Sequence, residues 1–417
     1  MMKSLASVSA VYVIGVPLAL IVNIVLARWL PVEEFGQYSF AIAAATFLAV
    51  PVSGGLPLLL TREVSTSLLA EDTPAFQRVL TTSLAWVGVA SLVVILGVLA
   101  FGAYVMPGRS ALLTMAALMV PALSLMAVGE GVLKGAGRPA LAEAIRQLAV
   151  PPILIVAALW LLQGAVAEAG IMLRFNLLAY LFVGLAGLWL VIQVSKFPVR
   201  PLLPGGAHLQ AWGPALLSFA LISGMTTLST QFATLLLGFL GNDEHVAYLR
   251  VAERGALLVA FPLMIMNAII GPRIVEANRA GRPALQALSR QSARLTLALA
   301  LPVALILISL GKPLIGLTFG DNYVEGGYLP LVFLSVGQLL GVAFGSPALI
   351  LMMTGHERRG VTAQATGLSI MMVSVTVLAV LFGADGAAVG IAIGLVMTKL
   401  LVVLAVRRNL GFLPGVI

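Results

Sequence analysis

Long apolar runs alternate along the chain with short polar or charged interruptions, and cutting it at its charges leaves twelve runs near membrane-spanning length. They cover 4–27, 35–61, 79–108, 110–129, 147–167, 175–195, a stretch inside 201–242, 255–272, 295–311, 326–355, 360–384 and 386–406. A helix needs roughly 20 mostly apolar residues to cross the hydrocarbon core of a bilayer. The pattern therefore predicts an all-α integral membrane protein of about twelve transmembrane helices. The first run follows Lys3 with no small-residue cleavage site leading into a polar domain, so it reads as the first helix and not as a removable signal.

Composition narrows the function classes. The 417 residues are 60 % apolar and only 10 % charged, against about 25 % charged in soluble chains, which excludes an ordinary soluble domain. No cysteine is present, so disulfide and thiolate chemistry are excluded. His208, His245 and His356 stand in no metal-ligand spacing. The formal charge of +8 lies between the apolar runs and forms no patch, so it reads as a topology signal and gives no reason to expect a nucleic-acid partner. With the N-terminus inside, 18 of the 24 basic residues fall on the cytoplasmic side, and Arg28, Arg109, Arg174, Arg250, Arg254 and Lys312 fall outside. Cytoplasmic loops are rich in Lys and Arg, so both termini are expected in the cytoplasm of a multi-pass inner-membrane protein. The segment Arg273 to Arg294 reads as a basic, partly helical loop against the anionic headgroups of membrane lipids.

An internal repeat supports two lobes. A shift of 210 lays Leu30-Pro-Val-Glu33-Glu34-Phe-Gly-Gln-Tyr38 on Leu240-Gly-Asn-Asp243-Glu244-His-Val-Ala-Tyr248, and one further residue of offset lays Pro51 on Pro262, Arg62 on Arg273 and Val64 on Val275. Six helices separate the copies, so they are parallel repeats related by an axis along the membrane normal. The expected organisation is a six-helix lobe over 1–194, a polar, proline-rich linker over 195–213, and a second six-helix lobe over 214–417. The remaining loops leave no room for an extramembrane catalytic domain. Prolines fall inside several expected helices (Pro17, Pro51, Pro121, Pro151, Pro152, Pro262, Pro302 and Pro347), where the carbonyls they free need other partners.

Polar residues inside the apolar runs are the candidate chemistry. Ser223, Thr227, Thr230 and Thr234 share one face of the seventh helix, flanked by Thr226 and Gln231. Hydroxyl-mediated helix packing and the wall of a water-filled, sugar-accommodating cavity are both open readings. In the eighth helix Arg250 and Glu253 stand at i,i+3, and Arg254 follows Arg250 at i,i+4. This turn is either a helix end at headgroup level or an anion site, since guanidinium forks suit phosphate oxygens. Arg28 either snorkels or joins that site, and Asn23 lies one turn deeper. Glu130 is expected to pair with Lys134, Arg174 to anchor at the interface, and Lys399 to snorkel. The sequence contains no Walker A loop, no assembled catalytic constellation and no carboxylate cluster for a metal, so the chain is not expected to be an enzyme.

The segment Asn23-Ile-Val-Leu-Ala-Arg28-Trp-Leu-Pro-Val-Glu33-Glu34-Phe-Gly36-Gln-Tyr38 resembles the helix-one to helix-two signature of polysaccharide transport proteins. These are the oligosaccharide flippases of the multidrug/oligosaccharidyl-lipid/polysaccharide (MOP) exporter superfamily. Trp29 and Pro31 depart from the signature, at a Leu and at a Gly. Leu133-Lys-Gly-Ala-Gly-Arg138 resembles the family's inner loop after helix four, and Ala247-Tyr248-x-Arg250 its entry to helix eight. The resemblance implies two six-helix lobes around a central cavity, like those of multidrug exporters of the superfamily. It also implies flipping of polyprenyl-diphosphate-linked oligosaccharide, the repeat unit of O-antigen, capsule or exopolysaccharide. It implies no cofactor, an H+ or Na+ gradient as driving force with Glu253 as coupling carboxylate, and a polysaccharide polymerase or glycosyltransferases as partners. On that reading the substrate meets Arg250, Arg254, Arg28, Asn23, Ser223, Thr227, Thr230 and Gln231.

Two rivals remain. A cation-coupled multidrug exporter of the same superfamily needs membrane-embedded acids, and helices one and seven contain none. A membrane polysaccharide polymerase or ligase would carry one large outer loop, which the spacing of the runs does not allow.

Overall fold

The computed structural model describes residues 2–161, 167–195 and 206–416, with the side chains of 10–160, 167–193 and 212–416. Most of the linker expected at 195–213, with Lys196 and Arg200, lies outside the described residues, as do the side chains of Lys3 and His208. Every regular element described is a helix. In chain order these are α1 Met2–Trp29, α2 Val32–Ser53, α3 Leu56–Leu69, α4 Thr73–Val105, α5 Ser110–Gly135, α6 Pro139–Ala144, α7 Val150–Leu161, α8 Ala169–Ser195, α9 Gly206–Phe239, α10 Asp243–Ala280, α11 Arg282–Ser309, α12 Gly311–Thr318, α13 Val324–Ala343, α14 Pro347–Met353 and α15 Glu357–Leu410.

Eleven stretches of the described residues are long and apolar enough to cross a membrane, with α2 and α3 forming one and α6 and α7 another. The last, α15, has 54 residues, or about 80 Å at ~1.5 Å per residue, against a hydrocarbon core of about 30 Å. It breaks at Gly383 (φ 59°, ψ −129°), a conformation that glycine adopts without steric cost, and there it folds back on itself. A Cβ on Gly390 would stand 2.7 Å from the Cα of Val375, so 357–382 and 384–410 are two antiparallel helices. The expected twelve spans are therefore present. One expected span, 326–355, instead ends at Ala343, and Pro347 starts the separate short α14 where a mid-helix proline was anticipated.

Two compact units divide the chain, Met1–Gln231 and Phe232–Ile417, and the division falls within α9. In the first unit α5 is the hub, packed by α2, α3, α4 and α8; in the second α13 takes that place, packed by α10, α11 and α15. Both hubs carry Gly-x-x-x-Gly, as Gly131/Gly135 and Gly337/Gly341. Lipid is as apolar as leucine, so helices in a bilayer gain by close van der Waals approach and by interhelical hydrogen bonds. Cβ atoms at Gly131 and Gly135 would stand 2.8 Å from the Cβ atoms of Leu60 and Val64 on α3. At the same contact Thr61 Oγ1 donates to the Gly131 carbonyl (3.3 Å) and Ser65 Oγ to the Gly135 carbonyl (3.0 Å). On the second hub, Cβ atoms at Gly337 and Gly341 would meet Ala392 and Leu395 at 2.7 and 2.8 Å.

Helix ends repeat the theme of internal satisfaction. Glu34 Oε2 accepts the Ala169 N–H that opens α8 (2.6 Å), and His245 Nδ1 accepts the Ala384 N–H that opens the second half of α15 (3.3 Å). The two caps are 211 residues apart. Val32–Leu69 and Asp243–Ala280, 38 residues each, also stand 211 apart at both ends. The structural repeat is therefore 211, the offset of Pro51 and Pro262, and the pairing of acids and tyrosines at 210 is out of register by one residue.

The glycine contact between α3 and α5 yields a prediction. Gly131→Ala and Gly135→Ala should each destabilise the protein by about 1–3 kcal/mol, the usual cost of overpacking, and lower the thermal midpoint in detergent. Gly97, which has open space where its Cβ would be, is the control: if Gly97→Ala lowers the midpoint as much, the close-approach account is wrong.

Candidate functional site

Two acids, Asp243 and Glu244, occupy the first turn of α10, where a carboxylate complements the helix N-terminus. Two turns further on, the helix is walled by buried Val246, Ala247, Leu249, Val251 and Ala252, and among them Arg250 is only 6 % exposed. Its Nη1 lies 3.2 Å from Glu253 Oε2. Arg254 follows one turn after Arg250, so this stretch of helix carries two guanidiniums and one carboxylate. Arg250 is packed into the second unit and does not extend along the surface toward a headgroup.

The remaining expected residues lie in the first unit. Asn23 Nδ2 donates to the Ala19 carbonyl of its own helix (2.7 Å), and Arg28 is exposed. Ser223 sits against the break between α2 and α3, where a Cβ at Gly54 would stand 3.3 Å from Ser223 Cβ and Oγ. A Cβ at Gly55 would stand 2.7 Å from the Leu216 carbonyl, so these two glycines admit α9. Thr230 is exposed and its hydroxyl donates back to Thr226 O (3.2 Å) and Thr227 O (3.1 Å). Thr227 is half-buried. Gln231 Oε1 is buried with no hydrogen-bond partner among the described residues, and so is Oγ1 of the fully buried Thr234, just inside the second unit. The face thus changes along its length, from packed at Ser223 to exposed at Thr230 and buried again at Thr234.

A charged cluster that the sequence pattern had dispersed is the densest polar feature of the first unit. The Glu130–Lys134 pair expected at i,i+4 is present at 2.6 Å. Lys134 Nζ also reaches Glu143 Oε1 (2.8 Å), and Arg146 Nη2 reaches Glu143 Oε2 (2.7 Å), with its Nε 3.6 Å from Glu130 Oε2. Gln147 Nε2 adds a bond to Glu143 (3.0 Å), and Arg146 Nη2 lies 3.4 Å from the Tyr12 hydroxyl on α1. Glu143 is 6 % exposed. Two acids and two bases therefore neutralise one another between α1, α5 and the α6–α7 helix, beside a small cavity lined by Glu130, Arg146, Met126, Gly129 and Val183.

Arg146, the charge just before the apolar run that begins at 147, lies within a helix. The expected span began at residue 147, but the apolar helix runs from Pro139 to Trp160. Between α6 and α7, residues Ile145–Ala149 form a π turn. Pro151 and Pro152 remove the N–H groups that Gln147 and Leu148 carbonyls would accept in an α-helix, and the wider turn absorbs that loss. The i,i+3 spacing of Glu143 and Arg146 was the available signal, and the charges themselves hid it by ending the apolar run.

A family model described as "Polysaccharide biosynthesis protein" matches residues 1–277. No curated protein sequence matches significantly. Among solved structures, the lipid II flippase MurJ in an inward closed conformation superposes with TM-score 0.73 at 14 % identity, covering 96 % of this chain and 87 % of that one. A multidrug resistance MATE family transporter of the MOP superfamily, in an inward-facing conformation, gives 0.70 at 16 % identity, covering 94 % of both. A MOP superfamily transporter from Pyrococcus furiosus gives 0.64 at 16 %, covering 98 % and 96 %. The fold is that of the MATE and MurJ transporters.

The charge cluster carries its own prediction. Breaking a buried pair by removing one partner costs about 3–5 kcal/mol, so Glu143→Gln should lower the thermal midpoint sharply. Glu143→Gln combined with Arg146→Gln should recover part of that loss. Equal midpoints for the single and double variants would show that the charges do not act on each other.

Proposed function

We propose that this chain, which belongs to the polysaccharide biosynthesis protein family, is a flippase. It carries polyprenyl-diphosphate-linked oligosaccharide, the repeat unit of O-antigen, capsule or exopolysaccharide, from the cytoplasmic to the outer leaflet of the inner membrane by alternating access. The observation that carries this reading is Arg250, a buried guanidinium in a membrane-spanning helix, with Glu253 at 3.2 Å and Arg254 one turn on. Charges inside a span are costly and mark substrate or ion paths, and guanidinium forks match the oxygens of a diphosphate. Binding exchanges the Glu253 carboxylate for substrate oxygens.

Glu253 then serves as the coupling group: an incoming H+ or Na+ neutralises it, frees Arg250 for the diphosphate, and leaves on the opposite side. Thr227, Thr230 and Gln231, with Arg28 and Asn23 at the end of α1, offer donors and acceptors to the glycan. The termini lie in the cytoplasm, beside the glycosyltransferases that supply the substrate, and a polymerase consumes it outside. Transport, and not polymerisation or ligation, fits a fold shared with transporters.

Deletion of the gene should leave the lipid-linked oligosaccharide on the cytoplasmic leaflet, protected from a membrane-impermeant glycan label. The wild-type gene should restore labelling, Arg250→Lys should restore part of it, and Arg250→Gln should leave it at least tenfold down at equal protein level. A deletion strain that labels normally but no longer expels organic cations would sink the proposal in favour of a multidrug exporter.

A further inference from the structure

The two units differ most at the ends that follow their second spanning helices. In the first, residues 62–83 hold three acids and two arginines. Arg62 is paired with Glu63 at 2.9 Å, and Asp72 caps α4 through the Ala75 N–H. The repeat-related stretch of the second unit, 273–294, holds one acid, Glu276, and five arginines: Arg273, Arg279, Arg282, Arg290 and Arg294. All five are exposed. Each lacks a hydrogen bond or ion pair to another described residue.

The helices that carry these arginines, α10 and α11, share one small apolar core. Ile270 and Ile274 of α10, Leu285 of α11, Ile350 and Leu351 of α14, and Val402, Val406 and Phe412 from the chain's end form it. Arg282 lies on the backbone of Gly411, against the end of α15, where its guanidinium occupies the space of a Cβ. Arg407 and Arg408 end α15 beside Val406, and Arg358 and Arg359 begin it; all four are exposed and, among the described residues, equally unpaired. A compact helical end thus carries nine free guanidiniums against two acids, Glu276 and Glu357.

A general topology signal does not account for this. Six spans separate the two repeat-related ends along the chain, yet only one is strongly basic, and all nine cations are arginine. Nine like charges on one face repel one another unless an anion sits among them. Arg294 immediately precedes the apolar part of α11, and Arg407 and Arg408 close the last span, which sets them at headgroup depth.

We infer that the Arg282–Arg407–Arg408 end of the second unit is a docking surface for anionic phospholipid headgroups of the leaflet it faces. The arginines take phosphate oxygens by their paired N–H groups, and a basic cluster beside a span draws such lipids at about fivefold in affinity per residue. The surface is separate from the Arg250 turn and does not depend on the substrate assigned to that turn.

The test uses the full-length protein in detergent, with its thermal midpoint titrated with phosphatidylglycerol or phosphatidylcholine. Phosphatidylglycerol should raise the midpoint at concentrations at least tenfold lower than phosphatidylcholine, and added salt should weaken the effect. Arg279→Gln, Arg282→Gln, Arg407→Gln and Arg408→Gln together should abolish the preference; Arg62→Gln with Arg78→Gln should keep it. Should the fourfold Gln variant fail to fold, the same four positions changed to Lys should keep the preference at lower affinity. No preference in the wild type, an unchanged preference in the fourfold Gln variant, or an affinity undiminished in the fourfold Lys variant overturns the proposal. Equal stabilisation by inorganic pyrophosphate overturns the assignment to lipid in favour of a soluble anion, and stabilisation by an acidic polypeptide alone overturns it in favour of a protein partner.

Discussion

Helices inside a bilayer gain nothing by exchanging lipid for leucine, so this molecule is held together where its backbones come close. The hubs α5 and α13 each present Gly-x-x-x-Gly to a neighbour, and the hairpin within α15 closes through Gly390 and Gly394 against Val375 and Met371. Close approach also brings hydroxyls to foreign carbonyls, as Thr61 and Ser65 reach Gly131 and Gly135. Trp86 Nε1 reaches the Val52 carbonyl beside the interrupted end of α2 (2.9 Å). The break at Gly54 and Gly55 then leaves room for the packed part of α9.

With water excluded, charge is handled in three ways. Around Glu143 two acids and two bases neutralise one another inside the first unit. Arg250 and Glu253 form a pair within one helix of the second, with a second guanidinium a turn away. At the Gly411 end nine arginines stand unpaired among the described residues. The first arrangement staples helices, the second suits exchange of one anion for another, and the third suits a charged surface outside the protein. Two copies of one helical frame have thus diverged in where they keep charge, while Val32–Leu69 and Asp243–Ala280 kept the same length.

The twelve spans were legible because a bilayer demands length and hydropathy of each helix separately, a condition written along the chain. The turn at Gly383 was legible as the break at Asp385 between the apolar runs 360–384 and 386–406. Cutting at charges failed at Glu143 and Arg146, because a neutralised pair does not behave as two charges. The repeat was visible but misregistered: Glu33 and Glu34 align with Asp243 and Glu244 by charge, whereas Glu34 and His245 cap equivalent helices by geometry. An acid and an imidazole both accept from an N–H, which similarity of residue type does not reveal.

The sequence by itself determined the class of the molecule, the number of its spans, its duplication, and the turn of α10 that holds Arg250. Each of these follows from local quantities, namely apolar length, charge spacing and proline position. Only the tertiary structure decided that Arg250 is buried, that Ser223 is packed while Thr230 is exposed, and that Lys134, Glu143 and Arg146 share one network. It also decided that the nine arginines at the Gly411 end find no partners among the described residues. Burial and pairing depend on which helices lie side by side, and that is fixed by close backbone contacts between residues distant in the chain.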